Sequence, residues 1–187
     1  MKTTPKILFA LTAVAALSVA CPAKANLITN PGFETGDFTG WTGISNAFVI
    51  TPDLGVAPHS GNFQALFGTP SGISQSVATT AGQSYAISFF YAVSGSLVPI
   101  LTLSVNWGGS TVFSHLFTSA SGYTEYTITV TASASSTTLA FATSGLGFSF
   151  LDDVSVEVAG VPDGGTTVSL LGCALLGLAA LRRKLGC

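Results

Sequence analysis

Tyr85-Ala86-Ile87-Ser88-Phe89-Phe90-Tyr91-Ala92-Val93 places a large apolar side chain at every odd position. A period of two is the geometry of a β-strand, whose successive side chains point to opposite faces. One face of this stretch therefore enters a core. The alternation recurs in Leu101–Trp107, Tyr126–Val130 and Val154–Val158, with Ser and Thr at most intervening positions. Shorter strand segments are read at 47–51, 63–67, 73–78, 111–117 and 138–143. Turn chemistry separates them: Thr51-Pro52-Asp53, Pro58-His59-Ser60-Gly61-Asn62, Thr80-Ala81-Gly82-Gln83, Gly108-Gly109, Ser121-Gly122 and Ser144-Gly145. Eight or nine strands at this spacing, with no helical periodicity, predict an all-β, antiparallel β-sandwich. Strands with one polar face favour antiparallel over parallel pairing.

The two ends of the 187-residue chain read differently. Lys2 and Lys6 precede an apolar run, Ile7–Val19, and Ala23-Lys24-Ala25 puts small residues at −3 and −1. This is a secretory signal peptide over residues 1–25, cleaved after Ala25. A lipoprotein signal with Cys21 as the lipidated residue fits less well, because Ser18 stands where Leu is usual and Pro22 follows the cysteine. At the other end, Val161-Pro162-Asp163-Gly164-Gly165 is followed by 16 uncharged residues, Thr166–Leu181, and then Arg182-Arg183-Lys184. A helix over that run spans about 24 Å at roughly 1.5 Å per residue. That is slightly short of a bilayer core of about 30 Å, and snorkelling of the basic residues makes up part of the gap. The positive cluster places this end in the cytoplasm and the β domain outside. A plain single-span anchor is the simplest reading of the segment.

Between these ends, residues 26–160 contain no Lys or Arg but seven carboxylates: Glu34, Asp37, Asp53, Glu125, Asp152, Asp153 and Glu157. The formal charge of this stretch is −7, against −2 for the whole chain. A surface without cations does not neutralise phosphates, which excludes nucleic acid and anionic lipid as partners. Cys21, Cys173 and Cys187 all lie in the terminal segments, so the exported part has no disulfide and relies on its core.

The order of turn motif, apolar helix and basic stop in residues 161–187 resembles the PEP-CTERM class of bacterial sorting signals, in its VPD-type variants. Those variants usually carry Ser where this chain has Gly164. The resemblance implies recognition by an exosortase, a membrane transpeptidase of Gram-negative bacteria that make exopolysaccharide. In that setting Val161, Pro162, Asp163, Gly164 and Gly165 are substrate positions and Arg182, Arg183 and Lys184 the stop. The protein would pass through the inner membrane to the cell surface or extracellular matrix.

A second resemblance lies in residues 26–41. Asn26-Leu27-Ile28-Thr29-Asn30-Pro31-Gly32-Phe33-Glu34-Thr35-Gly36-Asp37-Phe38-Thr39-Gly40-Trp41 is similar to the opening of jelly-roll domains of the carbohydrate-binding-module and galactose-binding-like kind. Phe150-Leu151-Asp152-Asp153-Val154-Ser155-Val156 is similar to their closing strand, and Pro58–Asn62 to one of their loops. The resemblance implies a structural calcium held in part by Glu34 and Asp152, which suits an oxygen-loving ion. The alternative is that both carboxylates accept backbone N–H groups at strand ends. Asp153 is expected on the opposite face by alternation.

Among the aromatic residues able to stack on sugar rings, Tyr91 and Trp107 fall in register with core positions, and Trp41 reads as a packing residue. Tyr126 is a further member of this set. Tyr123, beside Gly122, is expected to be exposed. His59 and His115 lack zinc-ligand spacing, and His59 is expected to bond within its own loop. No nucleophile elbow or phosphate loop is present, so the expectation is a non-enzymatic, glycan-associated surface protein. The rivals are a structural biofilm component without specific sugar binding and a divergent glycan-active enzyme.

Overall fold

The computed structural model describes residues 25–95 and 100–160. The expected signal helix, the Val161–Gly165 motif, the membrane helix and the Arg182–Lys184 stop lie outside the described residues. Eight strands are present: β1 (Thr42–Ile50), β2 (Gln64–Ala78), β3 (Ser84–Val93), β4 (Ile100–Trp107), β5 (Ser110–Phe117), β6 (Ser121–Thr131), β7 (Ser136–Leu146) and β8 (Phe148–Val158). All pairings are antiparallel, and there is no helix among the described residues.

The strand order β5-β4-β7-β2-β8-β3-β6 forms two layers because β2 serves both. Ala65–Gly68 pair with β8, whereas Ser71–Ala78 pair with β7. The segments expected at 63–67 and 73–78 are thus one long strand that changes layer at the cis Thr69–Pro70 peptide. β1 follows it, pairing Ala47–Ile50 with the first part of β2 and Thr42 and Ser45 with the second. β1 is thus the outer neighbour of β2 in both layers. The Ser144-Gly145 pair, expected as a turn, lies inside β7. Gly145 has φ 104°, and a Cβ there would overlap the Ile100 carbonyl, so only glycine lets β7 approach β4 so closely.

The core follows the alternation. Ile87, Phe89 and Tyr91 of β3 are fully buried, with Leu101, Leu103 and Val105 of β4, Leu139 of β7, and Leu151, Val154 and Val156 of β8. Phe89 and Phe141 meet edge to face at 5.1 Å across the two layers. Each such side chain contributes about 1.5–3 kcal/mol on burial, which compensates for the lack of disulfides. A smaller cluster of Leu66, Ala92 and Phe150 lies on the outer side of the β8 layer, packed against Ile50, Val56, Tyr123 and Phe148.

One flank of the sandwich is closed by the N-terminal segment. The Leu27 amide donates to the Val156 carbonyl and the Val154 amide to the Pro31 carbonyl. The Gln75 side chain clasps Thr29 through both its oxygen (2.7 Å) and its nitrogen (3.0 Å). At the other end the Ala159 amide donates to Ser84, so both ends of the domain are tied into its own strands. Among the described residues, the opposite flank, where β5 and β6 are the outermost strands, has no such cover.

Candidate functional site

Asp152 and Asp153 sit where the β3–β8 ladder is irregular: Ser88 pairs with Ser155, but Phe90 pairs with Asp152. One extra residue in β8 makes a bulge, and Asp153 takes φ 47°. The expected alternation fails here. Asp153 does not turn to the opposite face but joins Asp152 over Gly32. A Cβ on Gly32 would lie 3.2 Å from Asp153 Oδ1, 3.4 Å from Asp152 Oδ1 and 3.8 Å from Glu34 Cγ. The structure therefore brings Glu34, Asp152 and Asp153 around one glycine.

Their oxygens are turned to N–H and O–H groups of the 58–63 loop. Asp152 Oδ2 accepts the His59 amide (2.9 Å) and the Ser60 amide (3.3 Å), and Oδ1 accepts the Asp153 amide (2.8 Å). Asp153 accepts from the Ser60 hydroxyl (2.8 Å) and pairs with His59 Nδ1 at 2.7 Å. His59 thus bonds across the fold rather than within its loop, and its ring stacks on Phe90 at 3.5 Å. Glu34 Oε1 accepts the amides of Asn62 and Phe63, both at 3.0 Å. Burial, and then the neighbouring Asp153 charge, push the fully buried Asp152 carboxyl up to about 6 against the pull of these hydrogen bonds. Hard oxygens of the type calcium prefers are gathered here. Among the described residues, however, no group of three or more His, Cys, Asp or Glu is arranged to hold a metal ion.

The aromatic residues divide in two. Trp41, Tyr91 and Trp107 are buried, at 4%, 0% and 5% exposure, as their sequence positions indicated. Tyr123 lies in β6 rather than in an exposed loop. It is half-buried beside His59, and its hydroxyl donates to the buried Gln64 at 2.6 Å. Desolvation raises its hydroxyl pKa well above the usual tyrosine value.

The second group lies on the uncovered flank. Val105 pairs with Phe113 and Asn106 with Thr111, so Val112 is an extra residue and the bulge aims both Val112 and Phe113 at the gap between β5 and β6. A cavity of about 440 Å³ opens there, lined by Trp107, Ser110, Val112, Ile128, Thr131 and Ser133 among others. The Trp107 indole donates to the Thr131 carbonyl at 3.2 Å, tying the β4–β5 turn to β6. Beside the cavity, Tyr126 meets Phe113 at 5.2 Å and His115 at 6.1 Å, while Phe113 and His115 stack at 6.3 Å. Phe113 and His115 were not singled out by sequence reasoning as binding residues. The signal was the alternate aromatic spacing Phe113-x-His115-x-Phe117, in a strand read only as a short segment.

Residues 160–185 match the VPDSG-CTERM motif, with Gly164 in place of its serine. No curated protein matches the chain. Among solved structures, the domain resembles TmCBM61 in complex with β-1,4-galactotriose (TM-score 0.56, 19% identity, covering 72% of this chain and 99% of that one). It also resembles the CBM22-1 xylan-binding domain of Paenibacillus barcinonensis Xyn10C (TM-score 0.54, 17% identity, 76% and 99% covered). A third is the K1 cleaved adhesin domain of Lys-gingipain from Porphyromonas gingivalis (TM-score 0.55, 11% identity, 69% and 96% covered). At such identities the likeness is one of fold. The chain thus combines a β-sandwich similar in fold to two carbohydrate-binding domains and an adhesin domain with a match to the VPDSG-CTERM motif after it in sequence.

Proposed function

We propose that the chain is a non-enzymatic surface or matrix protein that associates with extracellular polysaccharide through its β-sandwich and is processed at its tail by an exosortase. The observation that carries this reading is the pairing of a carbohydrate-binding-module-like domain with a sorting motif at 160–185. A domain with seven carboxylates and no Lys or Arg between residues 26 and 160 is suited to uncharged partners. In the cell the tail would hold the protein in the inner membrane of a Gram-negative bacterium until the 161–165 motif is read.

Calcium belongs to the same reading. Glu34 and Asp152 would hold it, and it would supply the positive charge that the carboxylates around Gly32 lack. The ion would fasten the N-terminal segment to β8 and take no part in chemistry.

The test is fractionation of the producing cells. The account expects the protein in the polysaccharide fraction, with its mass reduced by loss of the tail. Pro162→Ala and Asp163→Ala should leave full-length protein in the membrane fraction. Full-length protein in the polysaccharide fraction, unaffected by either variant, contradicts the processing step.

A further inference from the structure

We propose that the flank between β5 and β6 is the glycan-binding surface of this domain, and that it takes an uncharged saccharide chain. The proposal rests on the glycan-binding reading above and assigns it a place. Three observations converge on this flank.

The first is space. The cavity of about 440 Å³ lies on the side of the sandwich that neither the N-terminal segment nor the β1–β2 ribbon covers. Its size falls within the range of small-ligand sites, roughly 300–1,000 Å³. Its walls are fixed to the core: Trp107 is hydrogen-bonded to β6, and Val112 and Ile128 pack on the main hydrophobic cluster. The site is formed before any ligand arrives, so little ordering is needed on binding.

The second is chemistry. Tyr126 and Phe113 present half-buried rings, Tyr126 stacked on Phe89 at 5.5 Å, and His115 is exposed beside them. Aromatic faces against C–H surfaces give a sugar its apolar contact. Hydroxyl partners are also at hand. No described residue bonds the Tyr126 hydroxyl or the His115 ring nitrogens, and Ser110, Thr131 and Ser133 stand exposed along the cavity. β5 and β6 are edge strands, which present free backbone N–H and C=O groups to a polyhydroxylated chain.

The third is charge. None of the seven carboxylates of residues 26–160 lines the cavity, and Glu125 lies on the other face of β6 from Tyr126 by alternation. With no cation to meet an acidic sugar and a surrounding field that repels one, the occupant is neutral. The other aromatic patch, His59 with Phe90 and Tyr123, is less suited. His59 is bonded to Asp153 and Tyr123 to Gln64, so its polar groups are already engaged.

The experiment titrates the full-length chain in detergent, and residues 26–160 alone, with β-1,4-galactotriose, xylohexaose, the neutral fraction of the producing cells' polysaccharide, and polygalacturonate. Variants are His115→Ala, Tyr126→Ala and Ser110→Trp on the flank, with the exposed Ser144→Arg on β7, two strands in from β5, as control. Circular dichroism and melting confirm that each is folded. The proposal expects binding to a neutral probe, weakened roughly tenfold or more by each flank variant, which corresponds to about 1.4 kcal/mol, and unchanged by the control. Neutral-probe binding that the flank variants leave intact overturns the location while keeping the glycan-binding reading. Preference for polygalacturonate overturns the ligand class. Self-association abolished by the flank variants, with no saccharide bound, overturns both and identifies the flank as a contact between copies of the chain.

Discussion

Asp152 Oδ2 accepts the backbone N–H of His59 at 2.9 Å, joining the last strand to a loop 93 positions earlier. The same oxygen takes the Ser60 amide. Removing it leaves two donors without an acceptor under a domain with no covalent crosslink. Asp152→Ala should therefore destabilise the domain by about 2–3 kcal/mol. Proteolysis in the 51–63 loop should rise in parallel, because the loop loses its hold on β8. Chemical denaturation and limited proteolysis check this, and unchanged stability would show that the pairing contributes nothing.

The pH dependence follows from the same carboxyl. Its folded pKa, about 6, lies above the ordinary 3.8, so folding favours the uncharged form. That contribution is complete below about pH 4 and is lost as pH rises through about 6. In chelator, the melting temperature should fall across this window, by the equivalent of roughly 2–3 kcal/mol at most. Asp152→Asn should flatten the profile. Calcium, where bound, should reverse the slope by favouring the charged form. A wild-type profile in chelator that rises from pH 4 to 7 would contradict the assignment.

Much of the fold was legible because the core strands alternate cleanly. Tyr85–Val93 and Leu101–Trp107 are strands with their odd residues inside, as their period required. The layer change in β2 was not legible, since it depends on which strand each half of β2 meets. The site was less legible still. Alternation placed Asp153 away from Asp152, and a single-residue bulge with positive φ reversed that. On the flank, Phe113, His115 and Phe117 keep their alternation, and a second bulge adds Val112 to the same side. The carboxylate site thus arises where the strand period is broken, which pattern reading assumes is kept. The aromatic flank depends instead on β5 and β6 meeting across the sandwich, which alternation does not show.

Gly61 is held at φ 62°, and a Cβ there would overlap the Glu34 carboxylate. Gly61→Ala should cost about 1–3 kcal/mol through backbone strain and displacement of Glu34 from the Asn62 and Phe63 amides. Adding Glu34→Ala should cost less than it does alone, because the overlap has already broken those bonds. Additive effects in denaturant titrations would refute the coupling.

Inside the sandwich, the Tyr91 hydroxyl donates to Ser149 Oγ at 2.6 Å, with both residues fully buried. Burial raises the Tyr91 hydroxyl pKa well above its ordinary value, so it stays protonated and donating. Tyr91→Phe should cost about 1–2 kcal/mol by removing a buried partner. The double variant Tyr91→Phe/Ser149→Ala should be less destabilised than the two single losses combined. A double-mutant cycle with no interaction energy would remove this bond from the account.

The central claim is association with polysaccharide. Its most direct test is a binding isotherm of residues 26–160 against polysaccharide from the producing cells, measured with calcium and with chelator on protein shown to be folded. The account predicts saturable binding in both conditions, because the β5–β6 flank lies away from Glu34 and Asp152, with a lower melting temperature in chelator. A melting temperature indifferent to chelator would remove the metal and keep the module. No binding in either condition would contradict the account and leave a structural matrix protein in its place.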